Sequence, residues 1–142
     1  MACLPEGTFG KEYSRFMSQH GLSPEERPLV SFVGDLQLAY VYQRYKEIHD
    51  YLHVLLGLGI SEQDEILLKW FEMGQLGLPS CTLAALFGGL RLGPVQLAAV
   101  SARLPQVMRL SAKSAFVMSV PFEEHFQRDL GEFRRLVEEG RV

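Results

Sequence analysis

Helix punctuation is the strongest constraint on what this chain can fold into. Asp35 stands as an N-cap ahead of a helical-period run, Leu36, Ala39, Tyr40, Tyr45, Ile48, Leu52 and Leu56, and Gly57 follows as a left-handed stop. After a tight connection containing Gly59, Ser61 caps a second run that carries Glu65, Lys69, Trp70 and Glu72 and ends at Gly77, with Pro79 beyond. Two capped runs so closely spaced predict an antiparallel helical hairpin over residues 34–77. Alternating runs of β-branched residues are scarce, so the class is all-α. A chain of 142 residues is one domain's worth, which predicts a compact single-domain helical bundle over 1–142.

Outside the hairpin the punctuation is denser. Thr8 can cap a first helix ending near Gly21, and Ser23-Pro24-Glu25-Glu26 has a capping-box spacing that Pro28 cuts to one turn. Between Glu72 and Arg91 lie 18 residues without charge, interrupted by Gly74, Gly77, Pro79, Gly88 and Gly89. A bilayer-spanning helix needs about 20 good residues and tolerates such breaks poorly. Residues 78–120 therefore read as short apolar helices, lipid-facing or core, broken again at Gly93-Pro94 and at Pro105. A final amphipathic helix is expected over 121–139, with Phe122, Phe126, Phe133 and Val137 on one side and Glu124, Arg128, Glu132, Arg135 and Glu139 on the other.

Composition excludes several function classes. The net charge of −3 and the lack of any Lys/Arg stripe argue against nucleic-acid binding. Cys3 and Cys81 are too few for a disulfide framework and read as free thiols of a reducing compartment. Neither an apolar h-region nor an Arg- and Ser-rich presequence opens the chain, which suits a cytosolic, processed or truncated form.

The residues that carry chemistry lie on the hairpin. His49, Asp50 and His53 project within an arc of roughly 100° on one helix, the histidines one turn apart, beside the stripe of Tyr45, Ile48, Leu52 and Leu56. Glu65 comes twelve positions after His53, near the start of the next helix, where an antiparallel return could bring its carboxylate across. Two imidazoles and two carboxylates suit zinc, and equally ferrous iron or manganese. Taken alone the pattern favours ordinary histidines and a Glu65–Lys69 pair at i,i+4. Two histidines four apart occur by chance, and Asp50 is one methylene shorter than the glutamate of the zinc-protease pattern.

The neighbouring residues change that balance. His49-Asp50-Tyr51-Leu52-His53, eleven residues and Glu65 closely resembles the HDxxH-x11-E zinc motif of the fourth coenzyme Q (ubiquinone) biosynthesis protein family. Leu4-Pro5-Glu6-Gly7-Thr8, Ala39-Tyr40-Val41, Gln43-Arg44-Tyr45, Lys69-Trp70-Phe71-Glu72, Gly77-Leu78-Pro79 and Arg91-Leu92-Gly93 resemble family segments in the family's order. The resemblance covers nearly the whole chain, a short form without the family's usual N-terminal region, and with Gly88-Gly89 where a Gly-Pro is common.

The resemblance implies ubiquinone biosynthesis: C1-decarboxylation of a 4-hydroxy-3-methoxy-5-polyprenylbenzoate by a metal-dependent carboxy-lyase, with zinc, or iron or manganese in its place, on His49, Asp50, His53 and Glu65. Lys69 and Glu72, within a narrow arc of Glu65, are the candidate catalytic pair, as carboxylate anchor and proton-handling group; their bland reading is an exposed ion pair. Leu83, Leu86, Phe87, Leu90, Leu92 and Leu97 offer either a prenyl groove or core. The implied partners are the polyprenylated benzoate, other coenzyme Q biosynthesis proteins, the matrix face of the mitochondrial inner membrane as a peripheral protein, and a second copy in a homodimer. The rival is a non-catalytic organiser of that enzyme complex with a structural metal, because four protein ligands would close a zinc site. A phosphohydrolase with an HD pair ranks third, since only His20 and His125 remain as further histidines.

Overall fold

The computed structural model describes residues 4–23 and 30–142. Among these, helices α1 (Phe9–Gln19), α2 (Leu36–Leu56), α3 (Glu62–Leu76), α4 (Pro79–Gly88), α5 (Pro94–Lys113) and α6 (Leu130–Glu138) account for the regular structure, with no strand, so the chain is all-α as expected. The one-turn expectation at 24–28 and Cys3 lie outside the described residues. The residues cluster into two units: one of residues up to Gly57 with Met118–Arg135, the other of Leu58–Val117 with Leu136–Val142.

In the first unit, Asp35 Oδ1 accepts from the Gln37 and Leu38 amides at 2.8 and 3.0 Å, taking two of the donors that a helix start leaves orphaned. Gly57 ends α2 at φ 66°, the left-handed conformation that favours glycine. Burial along α2 is lopsided. Leu36, Leu38 and Tyr40 are exposed, whereas Ile48, Tyr51, Leu52, Val54 and Leu55 enter a core with Phe9, Tyr13, Met17, Phe122 and Phe133. Phe9 sits at its centre, with ring centroids 4.9 Å from Phe133 and 5.8 Å from Tyr51.

Two expectations about this unit are corrected. Thr8 occupies the N-cap position of α1 but caps nothing with its side chain; its hydroxyl donates to the Pro5 carbonyl at 2.7 Å. The helix expected over 121–139 begins only at Leu130. Residues Phe122–His125 form a single 3-10 turn, because the carbonyls of Phe126 and Arg128 accept from the Gly10 and Phe9 amides of α1, both at 2.9 Å. Those carbonyls satisfy orphan donors of another helix, and Asp129 starts α6 by accepting from the Glu132 amide at 2.9 Å.

In the second unit, Ser61 caps α3 through the Asp64 amide at 3.3 Å and donates back to the Asp64 carboxylate at 2.7 Å. Pro79 is the first residue of α4, where its missing amide costs nothing. α5 packs on α3: Ser111 Oγ donates to the Phe71 carbonyl at 2.8 Å, and Gln75 Nε2 donates to the Ser111 carbonyl at 2.6 Å. The break expected at Pro105 is absent, and α5 runs through it. Val100 and Val107, buried on either side of Pro105, anchor both halves of α5 and offset the hydrogen bond the proline removes.

Candidate functional site

The HDxxH segment falls on the buried half of α2. His53 and Asp50 are 2% and 3% exposed, and His49 is half-buried. The imidazoles of His49 and His53 lie one turn apart with centroids 4.9 Å from each other and planes at 88°. Phe16 of α1 stacks on the His53 ring, with centroids 5.3 Å apart and planes 22° apart. A pair of adjacent imidazoles, sheltered from water, has the chemistry of half a zinc, iron or manganese site.

Arg134 of α6 donates from Nε to the Leu55 carbonyl at 2.7 Å and from Nη2 to the Val54 carbonyl at 2.9 Å. Both carbonyls belong to the last turn of α2, the turn that carries His53, and the Val54 carbonyl also accepts from the Gly57 amide at 3.2 Å. The Arg134 contact bridges 79 positions of sequence and leaves no local signal in it. On the same unit, Arg44 forms a two-pronged ion pair with Glu123, the Nη2 to Oε2 distance being 3.1 Å, and Nη2 also reaches the Val120 carbonyl at 3.0 Å. Burial, the largest single influence, works to raise the Glu123 carboxyl, but the Arg44 hydrogen bond and charge, a backbone hydrogen bond and Tyr51 together outweigh it, so the group sits below its ordinary value.

Glu65 belongs to the second unit, in the first turn of α3, and is half-buried. It lines a cleft of ≈ 470 Å³ whose wall also includes Ile60, Lys69, Leu83, Phe87 and Arg91. Of the apolar residues that composition left between groove and core, Leu83 is 57% and Phe87 59% accessible, Leu86, Leu90 and Leu97 are open as well, and Leu92 is half-buried. Only Cys81 and Ala85 of α4 enter the core.

Lys69 and Glu72 are not the exposed pair of the bland reading. Lys69 Nζ donates to Glu72 Oε2 at 2.7 Å, and Glu72 is 0% exposed. The same oxygen accepts from Cys81 Sγ at 3.3 Å, a partner that sequence reasoning missed because Cys81 sits nine positions away on the next helix. Lys69 thus pairs at i,i+3 with a carboxylate on its own helix.

Residues 1–138 match the family model described as Coenzyme Q (ubiquinone) biosynthesis protein Coq4. The chain is 50% identical over 132 residues to ubiquinone biosynthesis protein COQ4 homolog 2, mitochondrial, of Paramecium tetraurelia, covering 93% of this chain and 63% of the relative. It is 45% identical over 139 residues to the mitochondrial COQ4 homolog of Nematostella vectensis, covering 95% of this chain and 67% of that one. Identity to the Homo sapiens homolog, also named mitochondrial, is 42% over 132 residues, covering 92% of this chain and 50% of the relative. The chain thus spans between half and two thirds of the length of these curated relatives. A crystal structure described as a ubiquinone biosynthesis protein from Nostoc punctiforme has a TM-score of 0.78 at 22% identity, covering 97% of this chain and 65% of that one, and shares the fold. With its model matched from the first residue to the last turn of α6, the chain belongs to the Coq4 family of coenzyme Q (ubiquinone) biosynthesis proteins.

Proposed function

We propose that the protein acts in ubiquinone biosynthesis as a metal-dependent carboxy-lyase, removing the C1 carboxylate of a 4-hydroxy-3-methoxy-5-polyprenylbenzoate. Family membership supports the pathway. The observation that carries the metal is the sheltered imidazole pair of His49 and His53. Asp50 on the same turn and Glu65 on α3 complete the proposed ligand set of His49, Asp50, His53 and Glu65, which fits zinc, iron or manganese. A divalent ion held there supplies Lewis-acid polarisation of a substrate oxygen.

The chain's own residues handle the proton. Loss of carbon dioxide from an aryl carboxylate requires protonation of C1, after which the C–C bond breaks, its electron pair restores the aromatic ring and carbon dioxide leaves. Lys69, on the cleft wall, faces that task with Glu72 behind it; the buried carboxylate holds the ammonium in place and balances its charge. The exposed apolar wall of Leu83 and Phe87 would take the prenyl tail.

The relatives are named mitochondrial, which supports a mitochondrial setting for this chain. Among the described residues no helix is long and apolar enough to cross a membrane. A peripheral position on the matrix face of the inner membrane, beside other coenzyme Q biosynthesis proteins, accords with both observations. The test is incubation of purified protein with the polyprenylbenzoate and detection of the methoxy-polyprenylphenol and carbon dioxide. Product that depends on added metal supports the reading, and no product from metal-loaded protein counts against it.

One observation favours the rival, an organiser of the biosynthetic complex with a structural metal. Asp50 and His53 are almost wholly buried, and a site closed by four protein ligands leaves no position for substrate. Full metal occupancy without turnover would support it.

A further inference from the structure

Arg91 ends the 3-10 turn between α4 and α5, and the backbone around it is pinned: the Leu92 amide donates to the Gly89 carbonyl at 3.2 Å and the Gly93 amide to Gln96 Oε1 at 2.9 Å. Its side chain lines the cleft with Lys69. The two cations are not equivalent. The Lys69 ammonium is committed to the buried Glu72 carboxylate, whereas Arg91 enters no ion pair among the described residues. The cleft's apolar wall is itself unsatisfied, since Ile60, Leu83 and Phe87 are each about half or more exposed. Solvent-facing apolar side chains grouped around an uncommitted guanidinium describe a ligand with an apolar body and an anionic end.

We infer that Arg91 is the anion-anchoring residue of this cleft, its planar guanidinium taking a carboxylate through two parallel hydrogen bonds while Leu83 and Phe87 cover the apolar body. The guanidinium is suited to this geometry, and an ammonium is a point charge without the fork. The assignment rests on the carboxylate substrate proposed above and moves the anchoring task from Lys69 to Arg91, leaving Lys69 and Glu72 to the proton.

The test is calorimetric titration of the full chain, dialysed against chelator, with 4-octylbenzoate and with 4-octylphenol. Removing metal separates this proposal from the decarboxylation reading, which a binding result without metal neither needs nor supports. Wild type is expected to bind both probes. Arg91→Gln should weaken the benzoate by about tenfold and leave the phenol unchanged. Arg91→Lys should fall between, and Arg109→Gln, outside the cleft, should match wild type. Circular dichroism checks the fold of each variant. Unchanged benzoate affinity in folded Arg91→Gln, an equal loss for both probes, or no binding of benzoate by wild type would each overturn the assignment. Flotation on cardiolipin-containing vesicles separates a lipid headgroup from a free carboxylate. Arg91→Gln should float as wild type does, and loss of flotation with benzoate affinity intact would overturn the assignment in favour of a headgroup contact.

Discussion

The Glu72 carboxylate, wholly buried in the second unit, accepts a 2.7 Å hydrogen bond from the half-buried ammonium of Lys69. A charge taken out of water survives only if it is paired, and removing one partner of such a pair is far more costly than replacing both. Glu72→Ala should therefore destabilise the protein by about 3 kcal/mol, read from the midpoint of urea unfolding. The double variant Lys69→Met with Glu72→Leu should recover most of that loss. Equal destabilisation in the single and double variants would show that the pair does not act as a unit.

Gly10 allows α1 to meet the 126–128 segment. A Cβ there would lie 2.8 Å from Phe126 Cβ and 2.9 Å from the Phe126 carbonyl oxygen, the acceptor of the Gly10 amide. Gly10→Ala should cost about 1–3 kcal/mol despite the better helix propensity of alanine, because the segment must move and its hydrogen bond lengthens. Thermal unfolding followed by circular dichroism checks it, and a variant as stable as wild type would show that the segment yields freely.

Acid stability should carry the signature of two side chains. Glu123 is held below its ordinary carboxylate value of 4.5 in the folded state, so its pairing with Arg44 stabilises fully above that pH and is lost as pH falls through the lower folded value. Glu123→Gln should flatten the melting-temperature profile below about pH 4.5. His125 behaves as a base whose folded value lies below 6.5, because burial beside Phe133 opposes its charge. Stability should decline as pH drops below 6.5, where the unfolded chain binds the proton first, and His125→Phe should remove that decline. Profiles coincident with wild type would contradict either assignment.

What could be read in advance from the chain was local. Asp35, Gly57, Ser61 and Gly77 declare the ends of α2 and α3 because a cap or a left-handed glycine is a matter of neighbouring residues. The His49 and His53 pairing is one helical turn and equally legible. Pro105 misled because its outcome depends on Val100 and Val107, buried on either side of it. The late start of α6 was hidden because the carbonyls of Phe126 and Arg128 serve the amides of Gly10 and Phe9 far along the chain. The Arg134 caps on α2 and the Cys81 contact with Glu72 are likewise long-range facts. So is the exposure of Leu83 and Phe87, whose composition suits a core as well as a cleft.

Metal content by plasma mass spectrometry, measured on purified wild type beside His53→Ala and Glu65→Ala, tests the central claim most directly. The account predicts near-stoichiometric zinc, iron or manganese in wild type and its loss from both folded variants. Metal-free wild type, or full occupancy retained in both variants, would contradict it.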